Sequence, residues 1–164
     1  MKARKILAVS LTAAMTLALA ACGGSSSDKE SSSKDSSDKV YKIGICQQLE
    51  HAALDEATKG FEEACEEKFG KDKVKFDLQN GQGEQANCAT IVNNFVADND
   101  DLILANATTA LQCAAAATST IPILGTSVTE YGVALDISDF SGTVGGNISG
   151  TSDLAPLDGQ ADTN

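Results

Sequence analysis

Three polar loops carry the side chains with chemistry to offer. Gln47, Glu50 and His51 follow the apolar run Val40 to Cys46; Thr108 and Thr109 follow Leu102 to Ala105; Ser127 and Thr129 follow Ile121 to Leu124. Hydroxyls beside a helix start, with unspent backbone N–H groups, suit a carboxylate. The same hydroxyls can cap the helices, and the two roles are compatible.

Other reactive residue types point to less. His51 is the single histidine. No Gly-x-Ser-x-Gly stands anywhere to supply a nucleophile, so a structural or ligand-adjacent role is favoured over a general base. The cysteines are Cys22, Cys46, Cys65, Cys88 and Cys113, with no C-x-x-C pair. That spacing does not suit zinc. The last four read as small core hydrophobes, with a disulfide such as Cys65 to Cys88 left open. Gly81 to Ala86 matches G-x-G-x-x-A, but Glu84 places negative charge where a pyrophosphate would sit. Neither cofactor nor metal is expected, and no enzymatic activity.

The elements that must position these loops alternate regularly. Strand one is expected over Val40–Cys46. Helix one follows over Ala53–Lys68, with Leu54, Ala57, Phe61, Ala64 and Cys65 inward and Gly70 as its stop. Val74 to Leu78 alternates, as an edge strand does. Helix two is expected over Glu84–Ala97, strand three over Leu102–Ala105, helix three over Ala110–Thr118 and strand four over Ile121–Leu124. Strand–helix–strand repeated at this spacing predicts an α/β fold, a parallel sheet flanked by helices. All three polar loops then fall on one sheet edge, outside the carboxyl ends of the strands. From Glu130 the pattern weakens.

The flanks read differently. Met1 to Cys22 has a basic start, an apolar run from Ile6 to Ala18 and Leu-Ala-Ala-Cys. Residues 1–21 are read as a lipoprotein signal peptide with Cys22 as the lipid attachment site. The apolar run is too short to suggest a membrane span. Residues 22–39 are rich in Ser, Gly, Asp and Lys and read as a disordered tether. The formal net charge is −11, and the signal would carry away Lys2, Arg4 and Lys5. So acidic a chain is a poor partner for nucleic acid.

The loops in series resemble those of a known family. Ile43-Gly44-Ile45-Cys46-Gln47, Glu50-His51, Asn80-x-Gln82-Gly83-Glu84, Ala107-Thr108, Ile121-Pro122-Ile123, Val128-Thr129 and Gly146 to Asp153 are together similar to the ABC-transporter substrate-binding proteins of the tryptophan/tyrosine type. This sequence departs by having Ala52, Thr109 and Glu130-Tyr131 where that family usually has Pro, Pro and Asp-Pro. The resemblance implies a Rossmann-like lobe of a type I periplasmic binding protein over residues 40–146. Residues 147–164 would be a hinge crossing and the start of a second lobe that is largely absent. It further implies a monomeric, lipid-anchored receptor on the extracytoplasmic face of a bacterial cell membrane. Such a receptor passes a small solute, an aromatic or other amino acid, to an ABC permease. In that reading Thr108, Thr109 and Ser127 meet the ligand carboxylate, Asp153 its ammonium, and Gln47 and Glu50 line the cleft wall. The alternatives are a receptor for a sugar or nucleoside, or a secreted lipoprotein hydrolase.

Overall fold

The computed structural model describes residues 39–154. The signal, Cys22, all of the tether but Lys39, and the residues after Leu154 lie outside the described residues. The chain runs β1 (Tyr41–Gln47), α1 (Ala52–Phe69), a 3-10 turn at Lys71–Lys73, β2 (Val74–Asn80), α2 (Gln85–Ala97) and β3 (Leu102–Asn106). It continues through α3 (Thr108–Ala117), β4 (Ile123–Val128), the short α4 (Tyr131–Ala134) and β5 (Ile148–Ser152). The strands form one sheet in the order β2-β1-β3-β4-β5, every pair parallel. Parallel strands need crossovers, and helices supply them. After β2 the chain crosses to the far side of β1, so α1 covers one face while α2 and α3 cover the other.

Two cores follow from that arrangement. Ile43, Ile45, Cys65, Val74 and Leu104 pack on the α1 side. Cys46, Cys88, Val92, Phe95, Ile103 and Leu111 pack on the other. The alternation of side chains along a strand makes this division. At Gly44 it leaves no room for a side chain, since a Cβ there would fall 2.4 Å from Phe95 Cγ. The inner strands β1 and β3 are nearly all buried, whereas β2 lies at an edge and leaves Leu78 half exposed. Cys65 and Cys88 stand on opposite faces of the sheet, so the pairing left open by the sequence is excluded.

Local signals account for most element ends. Ala53 N–H donates to His51 Nδ1 (3.2 Å), which makes His51 the N-cap of α1. Gly70, at φ 95°, ends α1 by donating its N–H to Glu66 O. The inward stripe of α1 differs from expectation: Ala64 is exposed and Thr58 is buried. Thr58 turns inward because its hydroxyl joins two polar strand ends (below). Strand four also differs, running Ile123–Val128 rather than Ile121–Leu124. Pro122 contributes only its carbonyl, which accepts from Ile103 N–H, and the ladder continues into the polar residues beyond Leu124. Ile148–Ser152, expected as a hinge crossing, is hydrogen bonded to β4 as the fifth strand. Tyr131 packs across that pair. A Cβ on Gly125 or Gly150 would fall 2.3 or 2.0 Å from its hydroxyl oxygen, and that hydroxyl donates to Thr151 O (3.3 Å).

Candidate functional site

The carboxyl edge of the sheet is polar in register. Asn80 of β2, Gln47 of β1, Asn106 of β3 and Thr126 of β4 stand abreast. The loops beyond them are stitched side by side. Gln48 N–H donates to Asn106 O, Gly83 N–H to Gln48 O, and Ala107 N–H to Thr126 O. At the far end Asp153 N–H donates to Val128 O.

The backbone is strained where these loops turn. Ala107 has φ 85° and ψ 165°, a region almost reserved for glycine. Ser127 has φ 55°, where the β4–β5 register shifts. Such strain is held only where the surroundings over-determine it, and it concentrates at functional sites.

The expected site residues all reach this edge, in different states. Gln47 is only 4% exposed. Its Nε2 donates to Leu49 O (3.0 Å) and Asp55 Oδ1 (2.7 Å), and its Oε1 accepts from the Thr58 hydroxyl (2.8 Å). Both ends of the amide are engaged by protein, so Gln47 braces the wall from behind. Glu50 is exposed, and with Asp55, Lys59, Glu62 and Asn80 it lines a recess of about 530 Å³ between α1 and the β1–β2 edge. Burial, and then Glu66, push the Glu62 carboxyl above the ordinary carboxylate range. Thr108 and Thr109 are half-buried in the first turn of α3, Ser127 is half-buried at the end of β4, and Asp153 is exposed just beyond β5. These four are not among the walls of the 530 Å³ recess. Asp153 lies near Tyr131, whose hydroxyl is pushed up by burial first and by that carboxylate second.

Three residues essential to this edge carry no sequence signal of their own. Gln48 Oε1 accepts from Thr109 N–H (3.1 Å), which occupies one of the free donors at the start of α3. Asn106 is fully buried, and its Nδ2 donates to Leu54 O (2.8 Å) and Thr58 Oγ1 (2.9 Å) while its Oδ1 has no partner. Thr58 joins Gln47 to Asn106. A polar residue closing an apolar strand, as Asn106 does, is the nearest thing to a clue.

The Gly81–Gly83 turn spends its donors within the protein. Gly81 N–H donates to Gln47 O, Gln82 N–H to Asn80 Oδ1 and Gly83 N–H to Gln48 O. The donors a pyrophosphate would need from the G-x-G turn are spent. Gly81 serves packing instead, because a Cβ there would fall 2.3 Å from Cys88 Sγ. Among the described residues no group of three or more His, Cys, Asp or Glu side chains can hold a metal ion.

Comparison with known proteins agrees with this geometry. A tyrosine-binding protein of Clostridioides difficile (strain R20291) is 39% identical over 166 residues, which cover 96% of this chain and 47% of that protein. The chain therefore spans about half the length of the curated relative it matches. The ligand-free, open structure of a substrate binding protein with adhesive properties from Clostridium difficile is 40% identical, with a TM-score of 0.67 over 73% of this chain and 41% of that one. The structure of an ABC domain in complex with L-Trp from Streptococcus pneumonia is 34% identical, with a TM-score of 0.63 over 70% of this chain and 39% of that one. A family model described as ABC transporter substrate binding protein matches residues 42–163, from the second residue of β1 past the end of β5, and by that match the chain belongs to this family.

Proposed function

We propose that this chain is one lobe of an extracytoplasmic receptor that captures an amino acid, with an aromatic one favoured, and hands it to an ABC permease. The carrying observation is the polar carboxyl edge, where the loops after β1, β3 and β4 stand abreast around the strained Ala107 and Ser127. The L-Trp complex and the tyrosine-binding relative support the ligand class. The hydroxyls of Thr108, Thr109 and Ser127 receive the carboxylate beside the start of α3. Gln48 holds one N–H of that turn in place. Asp153, exposed on the same edge, meets the ammonium, and Glu50 stands at the rim. No bond of the ligand is made or broken, so the protein works as a carrier. It acts as a monomer, and Cys22 anchors it by lipid. No helix among the described residues is long and apolar enough to cross a membrane. The lobe starts at residue 40 and includes β5, and the passage toward a second lobe begins with that strand.

Amide chemical shifts test the ligand class. Millimolar L-tryptophan is expected to move the amides of Thr108, Thr109 and Ser127. Tryptophan methyl ester, which lacks the carboxylate, is expected to leave them in place. Equal responses to acid and ester, or a stronger response to a sugar or a nucleoside, would overturn the proposal.

A further inference from the structure

We propose that Cys46 and Cys88 are a disulfide-forming pair, closed while the chain folds by exchange with a low-molecular-weight disulfide such as oxidised glutathione. Cys46 is the next-to-last residue of β1, and its side chain lies on the α2 face. Cys88 lies in the first turn of α2. Both are fully buried free thiols in one core cluster, and after burial the nearby Cys88 thiol is the next cause that raises the Cys46 thiol. An independent contact places Cys88 at the same spot. Gly81 N–H is bonded to the carbonyl of Gln47, the neighbour of Cys46, and the Cys88 sulfur is pressed directly beneath Gly81.

The other pairings fare worse. Cys65 sits on the opposite face of the sheet, so it can reach none of the other three. Cys113, on α3, joins the same core, but its thiol donates to Gln85 O (3.7 Å) at the start of α2. Burial is the main cause that pushes both the Cys46 and Cys113 thiols above their ordinary value. Thiolate is the attacking species, so the folded chain is slow to react and the bond belongs to the folding stage.

The chemistry balances. Cys46 loses its proton and attacks one sulfur of the oxidised reagent. A mixed disulfide forms and one glutathione thiolate leaves. Cys88 loses its proton and attacks the Cys46 sulfur, which releases the second glutathione. The two cysteines are oxidised, and the reagent is reduced to two thiols. The bond closes the loop that holds α1 and β2. It ties the first turn of α2 to the carboxyl end of β1, directly under the Gly81–Gly83 turn of the polar edge.

The test uses the full chain carrying Cys22→Ser, reduced and unfolded, then refolded in a mixture of oxidised and reduced glutathione. Before alkylation, intact mass spectrometry is expected to find the chain about 2 Da lighter than its reduced form, and alkylation with non-reducing digestion follows. One linked peptide pair should hold Cys46 and Cys88, with Cys65 and Cys113 alkylated. Cys46→Ser and Cys88→Ser should each abolish the link, and a Cys65→Ser/Cys113→Ser double variant should keep it. The oxidised chain should also unfold at higher urea than the reduced one. Four alkylated cysteines, a link through Cys65 or Cys113, or a lower urea midpoint on oxidation would each overturn the proposal.

Discussion

At the residue scale, the buried polar trio of Gln47, Thr58 and Asn106 matters most. Thr58 is its centre, donating to Gln47 and accepting from Asn106, so removing any one of the three leaves a partner without its bond. A buried donor or acceptor left without a partner costs about 1–3 kcal/mol. Gln47→Leu strips partners from Thr58, Asp55 and the Leu49 carbonyl, and urea unfolding should show a loss of that size. Combined with Thr58→Val, the loss should be smaller than the sum of the two single changes, because the second removes a group already orphaned. An additive pair would mean that the trio is no unit. A second prediction concerns Asp100, which is buried above Gly44. Burial first, then Asp98 and Asp77, raise its carboxyl above the ordinary range. The folded state therefore favours the protonated form. The stability this contributes is present below the ordinary carboxylate value, about pH 4, and is lost as pH rises through the raised one. Asp100→Asn should raise the melting temperature at neutral pH, and the gain should fade as pH falls below that value. Asp101 works in the opposite sense. The hydrogen bond from Lys39 first, and that from Lys42 N–H after it, lower its carboxyl, so its contribution holds above the ordinary value and is lost in stronger acid. Nothing in the sequence marks Asp100 off from Asp98 or Asp101, since only the fold buries one of the three.

At the element scale, two helix starts carry the site and both are capped by residues of the β1 loop. His51 caps α1 through its ring nitrogen. His51→Ala should destabilise the chain by about 1 kcal/mol, with His51→Ser recovering most of it, since serine is a good N-cap. Thermal unfolding distinguishes the cases, and an unchanged His51→Ala variant would remove the cap from the account. Gln48 caps α3 by accepting from Thr109 N–H. Gln48→Ala should speed hydrogen exchange at the Thr109 amide and leave the middle of α3 protected. The positions of both helices were legible from spacing and from Gly70. The role of Gln48 was not, because its partner lies 61 residues away. The missed extension of β4 has a similar cause. Thr126 looks like loop by composition, and only its pairing with β3, with Val128 paired to β5 beyond it, makes this stretch strand.

At the scale of the whole molecule, the polar edge of one sheet can cover one side of a ligand. Sites that hold small molecules tightly bury about 70–90% of their surface. Titration calorimetry of this chain with L-tryptophan and L-tyrosine should therefore show no more than weak, millimolar association. Micromolar affinity would mean that one edge suffices and would overturn the need for an opposing wall. The families of α/β sheets bind ligands where neighbouring crossovers part to opposite faces, and here that point lies between β1 and β3. The Gln48 loop and the Ala107 turn stand on either side of it. The sequence by itself determined the alternation of strands and helices, the parallel sheet and the polar character of its carboxyl edge, because apolar period and turn residues act over a few neighbouring positions. It also carried the family resemblance. Only the tertiary structure decided that Gln47 is a buried brace, that Gln48 holds the start of α3, that Cys65 and Cys88 lie apart and that Cys46 and Cys88 share one core. Those outcomes depend on which face of the sheet each side chain takes and on which distant segment covers it, and no local pattern contains either.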